Sequence, residues 1–202
     1  MQKVLAFDLG RVIFDFDYTI VLDKCAERMT LTPDQVLHGL FYEDFGADYE
    51  RGLLSNREFY EKMRSWSGLA MDYDEYALAW SDIFSLNRGT EDLIHSLKKA
   101  GYPVHMISNI CDLHYTFLSE RYPEVFGLFD SLVLSYKVGA IKPERKIFDE
   151  LVRRAGVAPE FIVYVDDRDD LIKAARPLGF TAIRFDSVDQ CRADLRRQGI
   201  AA

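Results

Sequence analysis

Two acidic sites in the 202-residue sequence, a single aspartate and an aspartate pair, could carry chemistry. Asp8 directly follows the apolar run KVLAF, and Asp166 and Asp167 directly follow the run FIVYV. A carboxylate can act as a nucleophile, and a group of carboxylates needs a divalent cation such as Mg²⁺ to offset its charge. An isolated aspartate after a strand is also an ordinary turn or helix-cap residue. The chemistry therefore depends on whether the fold brings these positions together.

Three further polar residues stand at similar places along the chain. Ser108 and Asn109 end the apolar run YPVHMIS, and Lys142 lies a short loop beyond the run SLVLS. Hydroxyl, backbone N–H and ammonium groups can hold phosphate oxygens and offset their charge. Because the formal net charge is -8, a protein of this composition that handles phosphate needs such a local cation.

The elements that position these residues can be predicted from apolar runs and helical spacing. Helices are predicted over residues 90–101, 143–156 and 170–179, the second with Pro143 at its first position. Strand–helix alternation on this scale predicts an α/β fold, a Rossmann-like parallel sheet covered by helices. Five short apolar runs are predicted as its strands: residues 3–7, 102–108, 131–135, 161–165 and 180–185.

The candidate residues all lie near the carboxyl ends of predicted strands. The first strand ends at Asp8, the second at Ser108 and the fourth at Asp166, while Lys142 follows the third. Ligands of open parallel sheets bind at these ends of the strands. We therefore expect the four segments to meet in one crevice, which is a stronger indication than any one of them alone.

Residues 16–85 differ from the rest of the chain. They are rich in Phe, Tyr and Trp and show helical rather than strand periodicity, as in SNREFYEKMRSW and DYDEYALAWSDIF. We expect an inserted all-helical cap domain at 16–85 and a catalytic core formed by residues 1–15 and 86–202. The alternative is a single continuous fold in which these helices are peripheral.

Four sequence motifs resemble those of the haloacid dehalogenase superfamily. FDLGRV resembles its nucleophile motif, VHMISN its Ser/Thr motif, SYKVGAIKPERKIF its lysine motif and VYVDDRDD its acidic motif. Within the superfamily, the chain is most similar to the subgroup with a helical cap after the first strand, which includes bacterial glucose-1-phosphate phosphatases. The resemblance implies a phosphatase that forms and hydrolyses an aspartyl-phosphate and acts on a small phosphorylated metabolite such as a sugar phosphate.

The resemblance also assigns roles to the acidic residues. Asp8 would be the nucleophile that attacks phosphorus. Asp8, Asp167 and the backbone carbonyl of Gly10 would bind Mg²⁺ directly, and Asp166 would act through water. The implied cofactor is therefore Mg²⁺, held entirely by oxygen atoms.

The same resemblance places Ser108, Asn109 and Lys142 around the phosphate. Ser108 and Lys142 would be catalytic as well as substrate-binding, because they offset the charge on the phosphate and on the nucleophile. Arg11 stands where the family usually has a small residue. It could contact the substrate or simply pair with Asp15.

Gly10 stands where most phosphatases of the superfamily have a second acid. A glycine lacks the carboxyl that would protonate the leaving group and activate water, a function worth about 10²–10⁴ in rate. The leaving group could depart with little help, as the anomeric oxygen of a sugar 1-phosphate does. Alternatively, a different acid could take over this function, and the candidates are Asp15, Asp17, Asp44 and Glu50.

Two other functions stay open at this point. The chain could bind phosphorylated ligands with weak turnover, or it could be a carbon–halogen hydrolase similar to 2-haloacid dehalogenases, which also lack the second acid. Dehalogenases need no metal, however, and the pair Asp166 and Asp167 would repel a carboxylate substrate. The phosphatase is therefore the favoured prediction.

The predicted cap should set specificity, because it would close over the crevice and exclude water. Tyr42, Asp44, Glu50 and Arg51 are the candidate substrate contacts within it. Most of the remaining aromatic residues are expected to pack cap helices together. They could also form a dimer surface, so both a monomer and a homodimer are compatible with the sequence.

The composition argues against several other classes of protein. The pI near 5.0 and the lack of a basic block argue against a nucleic-acid partner and against an anionic membrane partner. The three cysteines are far apart and form no CxxC, so neither a disulfide framework nor a zinc site is expected. With no long apolar run and no signal-peptide pattern, a cytoplasmic location is predicted.

Overall fold

A five-stranded parallel sheet lies at the centre of the molecule. The computed structural model describes residues 2–42 and 44–202, without the side chains of residues 41, 42 and 44. The sheet contains the five apolar runs predicted as strands, each within two residues of its expected bounds. The strands in the described residues are β1 (Val4–Phe7), β2 (Phe14–Phe16), β3 (Phe84–Leu86), β4 (Val104–Ser108), β5 (Ser131–Leu134), β6 (Ile162–Asp166) and β7 (Thr181–Arg184).

The strands of the sheet follow the order β5-β4-β1-β6-β7, and all neighbours are parallel. Helices cover both of its faces, so the predicted α/β, Rossmann-like fold is confirmed. No helix in the described part of the chain is long and apolar enough to cross a bilayer. The helices there are α1 (Thr19–Cys25), α2 (Pro33–Tyr42), α3 (Asp44–Glu50), α4 (Asn56–Ser67), α5 (Tyr73–Ser81), α6 (Arg88–Lys99), α7 (Asp112–Arg121), α8 (Pro123–Phe126), α9 (Ser135–Val138), α10 (Arg145–Ala155), α11 (Asp169–Ala175) and α12 (Val188–Arg197).

Strand β1 shows why the central runs are apolar throughout. Successive side chains of a strand point to opposite faces of the sheet. Leu5 and Phe7 belong to a buried cluster with α6, α7 and α12, whereas Val4 and Ala6 belong to a second cluster with α10 and α11. Because both faces are covered, no position of the strand can be polar until the chain leaves the sheet at its carboxyl end.

The predicted helix ends are confirmed in one place and wrong in another. Gly101 follows α6 with a φ of 87°, a left-handed conformation that glycine adopts readily. Pro143 is not the first residue of α10, because the helix begins at Arg145. The backbone N–H of Glu144 donates to the carbonyl of Ile141 (2.8 Å), so a tight turn precedes the helix.

The segment between β2 and β3 has an aromatic core of its own. Phe59, Tyr60, Tyr76 and Trp80 are buried in one cluster contributed by helices of this segment. Phe59 stacks on Tyr49 with ring centroids 3.9 Å apart and an interplanar angle of 11°. Each ring buries a large apolar area, so aromatic packing helps to hold these short helices together.

The antiparallel pairing of β2 with β3 is not predicted by the sequence pattern. Phe16 and Phe84 are Cα partners in this ribbon, and their ring centroids are 5.9 Å apart. The helical periodicity of DYDEYALAWSDIF predicts a helix through Phe84, but α5 ends at Ser81. Strands of three residues are too short to show a period of two, which explains the error.

Candidate active site

Three carboxylates meet at the carboxyl ends of two neighbouring strands. Asp8 follows β1, Asp166 is the last residue of β6, and Asp167 follows it. The chain continues from β1 toward one edge of the sheet and from β6 toward the other, so the gap between them is the topological switch point. One carboxylate oxygen of each residue lies within 4.8 Å of those of the other two. The structure thus brings these residues together as the strand pattern predicts.

Lys142 supplies the positive charge of this cluster. Its side chain is buried, and Nζ lies 2.8 Å from Oδ1 of Asp8 and 2.7 Å from Oδ2 of Asp166. Burial alone would lower the pKa of Lys142, but the two carboxylates outweigh it and raise the pKa. The ammonium group therefore stays charged and ties the loop after α9 to both strand ends. We call Asp8, Lys142, Asp166 and Asp167 the catalytic floor.

Both oxygens of Asp166 are engaged by protein groups. Oδ2 accepts hydrogen bonds from Lys142 and from the hydroxyl of Tyr164, and Oδ1 accepts one from the backbone N–H of Arg168 (2.9 Å). A carboxylate occupied in this way is better suited to contact a metal ion through water than to bind it directly. Tyr164 stands inside an apolar run, so nothing in the sequence indicates this contact.

Asp8 and Asp167 are the candidates for direct metal binding. Oδ1 of Asp8 accepts a hydrogen bond from the backbone N–H of Leu9 (2.7 Å) in addition to its contact with Lys142. Burial raises the pKa of Asp8 in spite of the opposing ammonium, and burial near Asp166 raises the pKa of Asp167. Three carboxylates and one ammonium leave an excess of negative charge on oxygen donors, and this set fits Mg²⁺.

Asn109 positions the lysine loop. Its side-chain Oδ1 accepts a hydrogen bond from the backbone N–H of Lys142 (2.7 Å), and its Nδ2 donates to the carbonyl of the same residue (3.1 Å). Asn109 also lines the crevice. Ser108 is buried at the end of β4, where its hydroxyl makes a long contact of 3.3 Å to the carbonyl of Asn109. Phosphate binding by Ser108 and Asn109 remains a prediction.

The aromatic ring of Phe16 packs against the turn that contains Gly10. A Cβ atom added to Gly10 would lie 3.0 Å from Cε1 of Phe16. The guanidinium of Arg11 lies over the same ring, 4.4 Å from its centroid, and Arg11 has a left-handed φ of 59°. No ion pair between Arg11 and Asp15 is present among the described residues, so that alternative is not supported. Arg11 lines the crevice, and a substrate contact for it remains a prediction.

Above the catalytic floor, the crevice continues into a cavity of about 440 Å³. Its lining combines polar residues of the strand ends with aromatic rings. We call five of these rings the aromatic wall: Tyr18, Tyr49, Phe59, Trp80 and His114.

Arg168 is a further cation at the crevice, and sequence reasoning missed it. It lines the cavity, and its Nη2 atom lies 2.7 Å from Oδ2 of Asp170. The hydrogen bond to Asp170 raises the pKa of Arg168. The sequence does indicate this position, because Arg168 directly follows Asp166 and Asp167 and must also lie at the carboxyl end of β6.

The predicted cap contacts have different outcomes. The side chains of Tyr42 and Asp44 lie outside the described residues. Glu50 lines the cavity together with Asp8, Lys142 and Asp167. Arg51 does not line the cavity. Its Nη2 atom pairs instead with Oε1 of Glu144 at 2.7 Å. Arg51 is therefore not placed to contact a substrate in this cavity. It forms an ion pair that joins the segment between β2 and β3 to the turn before α10.

Two of the candidate replacement acids lie in a different groove. Asp15 and Asp17 are exposed and line this outer groove together with Arg11. Oδ1 of Asp17 accepts hydrogen bonds from the hydroxyl (2.7 Å) and the backbone N–H (2.9 Å) of Thr19. These bonds lower the pKa of Asp17, so its carboxylate stabilises the start of α1 and is a poor proton donor.

Comparisons with known proteins agree with this geometry. Residues 3–179 match the model of the haloacid dehalogenase-like hydrolases. The chain is 28% identical to D-ribitol-5-phosphate phosphatase from Bacteroides thetaiotaomicron, over 96% of this chain and 97% of that protein. A haloacid dehalogenase family enzyme from the same organism, crystallised as a magnesium complex, superposes with a TM-score of 0.77 at 26% identity, over 91% of this chain and 93% of that one. A hydrolase of the same fold from Porphyromonas gingivalis gives a TM-score of 0.83 at 22% identity, over 100% of both chains. The chain belongs to the haloacid dehalogenase-like hydrolase family.

Proposed function

We propose that the chain is a Mg²⁺-dependent phosphatase that hydrolyses a small phosphorylated metabolite through an aspartyl-phosphate intermediate. The observation that carries this proposal is the grouping of Asp8, Asp166 and Asp167 around Lys142 at the switch point of the sheet. Similarity to a ribitol-5-phosphate phosphatase and to an enzyme crystallised with magnesium supports the substrate class and the cation.

In the first step, a carboxylate oxygen of Asp8 attacks phosphorus, and the bond from phosphorus to the leaving oxygen breaks. Lys142 contacts Asp8 at 2.8 Å, so its ammonium orients the nucleophile and offsets the charge of two anions that approach each other. The contact of Lys142 with Asp166 fixes the ammonium in this place. Mg²⁺ held by Asp8, Asp167 and the carbonyl of Gly10 would supply additional charge neutralisation when bound.

In the second step, water attacks the phosphorus of the aspartyl-phosphate, and the bond from phosphorus to Asp8 breaks. Ser108 and the backbone after it are the groups we assign to the phosphate oxygens, because β4 lies beside β1 in the sheet. Asn109 acts on Lys142 by holding both backbone polar groups of that residue. The floor thus returns to its starting state when phosphate leaves.

The cavity supports a sugar phosphate as the substrate class. About 440 Å³ is within the usual size range of small-molecule pockets. Hydroxyl groups of a sugar could contact the polar residues around the floor, and its C–H faces could pack on the aromatic wall. The low basicity of an anomeric leaving oxygen would also reduce the need for an acid at Gly10.

Replacement of the nucleophile tests the proposal. Asp8→Asn should lower phosphate release from p-nitrophenyl phosphate by about 10⁴-fold or more, because an amide cannot form the intermediate. The matched control is Asp92→Asn, at an exposed position of α6, which should retain the wild-type rate. Full activity in Asp8→Asn would exclude Asp8 as the nucleophile.

The alternative functions give different results in the same assay. A phosphatase of this kind loses activity when Mg²⁺ is chelated, whereas a dehalogenase releases halide from 2-haloacids with the chelator present. A protein that only binds phosphorylated ligands would be stabilised against heat by them and would release no phosphate across a panel of phosphometabolites. Either of these two results would contradict the proposal.

A further inference from the structure

The space next to Gly10, where the missing acid would stand, is bordered by Phe16. Its ring would lie 3.0 Å from a Cβ atom at Gly10, and the guanidinium of Arg11 covers the ring. Asp15 and Asp17 line the outer groove, and the side chain of Asp44 lies outside the described residues. Of the candidate acids whose side chains are described, only Glu50 lines the crevice itself.

Glu50 comes from an element other than the strands that carry the floor. It is the last residue of α3 and lines the same cavity as Asp8 and Asp167. It also lines the cavity beside Tyr49, which belongs to the aromatic wall. Glu50 thus lines one crevice together with residues of the floor and rings of the aromatic wall.

The backbone at Glu50 is fixed to the sheet side of the molecule. Its carbonyl accepts a hydrogen bond from the hydroxyl of Ser135 (2.6 Å), and the same hydroxyl accepts one from the backbone N–H of Ile110 (2.9 Å). Two residues later, Gly52 approaches Tyr136 so closely that an added Cβ would lie 2.3 Å from its carbonyl oxygen. These contacts set the position of Glu50 relative to the strand ends, as a catalytic group requires.

The surroundings of Glu50 favour a neutral carboxyl. Burial raises the pKa of Glu50, although three nearby cations oppose the shift. A carboxyl with a raised pKa can hold a proton closer to neutral pH and is a more effective general acid there. The charged and titratable groups that face it are Lys142 and Arg168 near the floor, Arg51 next to it in the chain, Tyr18 before α1 and Cys111 before α7.

We propose that Glu50 is the general acid and base of this enzyme and replaces the carboxyl that Gly10 lacks. The proposal rests on the phosphatase function proposed above. As the bond from phosphorus to the leaving oxygen breaks, the Glu50 carboxyl transfers its proton to that oxygen and becomes a carboxylate. In the second step, the carboxylate takes a proton from the attacking water, so that Glu50 is neutral again when phosphate leaves.

The test compares a good and a poor leaving group. Glu50→Gln should lower kcat/KM for an alkyl phosphate monoester by about 10²–10⁴-fold, and should lower it for p-nitrophenyl phosphate by less than about tenfold, because nitrophenolate leaves with little protonation. Asp15→Asn and Asp17→Asn are matched controls with both esters and should stay at the wild-type values. An equal loss for both esters in Glu50→Gln would overturn the proposal.

A pH profile separates catalysis from a purely structural effect. In the wild type, kcat/KM for the alkyl ester should fall as the pH rises through the pKa of Glu50, because the acid loses its proton. This decline should be absent in Glu50→Gln. Glu50→Asp, which keeps a carboxyl, should recover part of the lost turnover even if Glu50→Gln melts at a lower temperature. Persistence of the decline in Glu50→Gln, or no recovery in Glu50→Asp, would contradict the assignment.

The result also distinguishes this proposal from the function on which it rests. If wild-type protein hydrolyses no phosphate monoester with Mg²⁺ present, both proposals fail. If wild type is active and Asp8→Asn is not, while Glu50→Gln shows no dependence on the leaving group, only the role of Glu50 is wrong.

Discussion

The catalytic floor and the aromatic wall enclose one crevice but are held together by different forces. On the floor, Lys142 contacts two carboxylates at 2.7 and 2.8 Å, and each of these bonds has a defined donor and acceptor. On the wall, Phe59 and Trp80 are tilted rings with centroids 5.4 Å apart, and their packing is not directional in the same way. Changes to the floor should therefore affect the rate first, whereas changes to the wall should affect stability and substrate choice.

The largest effect is expected at the lysine of the floor. Lys142→Met leaves Asp8 and Asp166 buried without their cation, which should lower the free energy of unfolding by about 3–5 kcal/mol without Mg²⁺. The rate of p-nitrophenyl phosphate hydrolysis should fall by about 10³-fold. Urea denaturation and steady-state kinetics measure the two effects. Lys173→Met, at an exposed lysine, is the control and should change neither quantity appreciably. An active, equally stable Lys142→Met would contradict the arrangement of the floor.

A change to the wall should lower stability without a comparable loss of rate. Phe59→Ala removes a buried ring that stacks on Tyr49, and it should lower the free energy of unfolding by about 3–5 kcal/mol. Where the variant is still folded, kcat for p-nitrophenyl phosphate should change far less than in Lys142→Met. Phe59→Leu keeps most of the apolar volume and should cost about 1.5 kcal/mol or less. A loss of kcat with unchanged stability would show that this ring acts in the chemistry rather than in packing.

The wall also contains a group that should make stability depend on pH. Burial lowers the pKa of His114 from 6.5 to about 4, although its hydrogen bond to the carbonyl of Trp80 opposes the shift. The folded state thus stays neutral at this site while the unfolded chain takes up a proton below pH 6.5. The contribution of neutral His114 to the free energy of unfolding is complete above pH 6.5 and is lost as the pH falls toward 4. The loss is about 1.4 kcal/mol per pH unit and about 3 kcal/mol in all.

Urea denaturation at several pH values measures this contribution as a difference. His114→Gln can still donate to the carbonyl of Trp80 but does not titrate in this range. The free energy of unfolding of wild type should therefore fall more steeply between pH 6.5 and 4 than that of the variant. Parallel curves for the two proteins would show that His114 is protonated in the folded state.

The smallest effect is expected at the ion pair that joins the end of α3 to the turn before α10. Arg51 and Glu144 are partly exposed, so Arg51→Ala should lower the free energy of unfolding by about 1 kcal/mol or less. KM should stay within about twofold of wild type, because Arg51 does not line the cavity. A double-mutant cycle with Glu144→Ala isolates the pair. A large increase in KM for Arg51→Ala alone would restore Arg51 as a substrate contact.

The floor was largely predictable from the sequence because sheet geometry is simple. Parallel strands end at one edge of the sheet, so polar residues directly after neighbouring strands must lie close together, as Asp8 and Asp166 do. Lys142 joins them from the loop after α9. The hydrogen bond from Tyr164 to Asp166 was not predictable, since a tyrosine within an apolar strand is most simply explained as a core residue.

The wall and its surroundings were much less predictable. Aromatic residues at helical spacing indicate packing, but they do not reveal which rings face a ligand, because that depends on how short helices lie against the sheet. The sequence offered Asp15, Asp17, Asp44 and Glu50 as equivalent acids, and only the fold separates the outer groove from the crevice. The sequence does not reveal that Arg51 pairs with Glu144, because the two residues are 93 positions apart in the chain.

The most direct test of the phosphatase mechanism is detection of its covalent intermediate. The protein with Mg²⁺ is mixed with a phosphate monoester and quenched in acid within one turnover, and its peptides are examined by mass spectrometry. We expect a phosphoryl group on Asp8 in wild type, and none when Mg²⁺ is chelated or in Asp8→Asn. Rapid phosphate release with no phosphoryl group on Asp8 at any quench time, or with the group on another residue, would contradict the role of the floor described here.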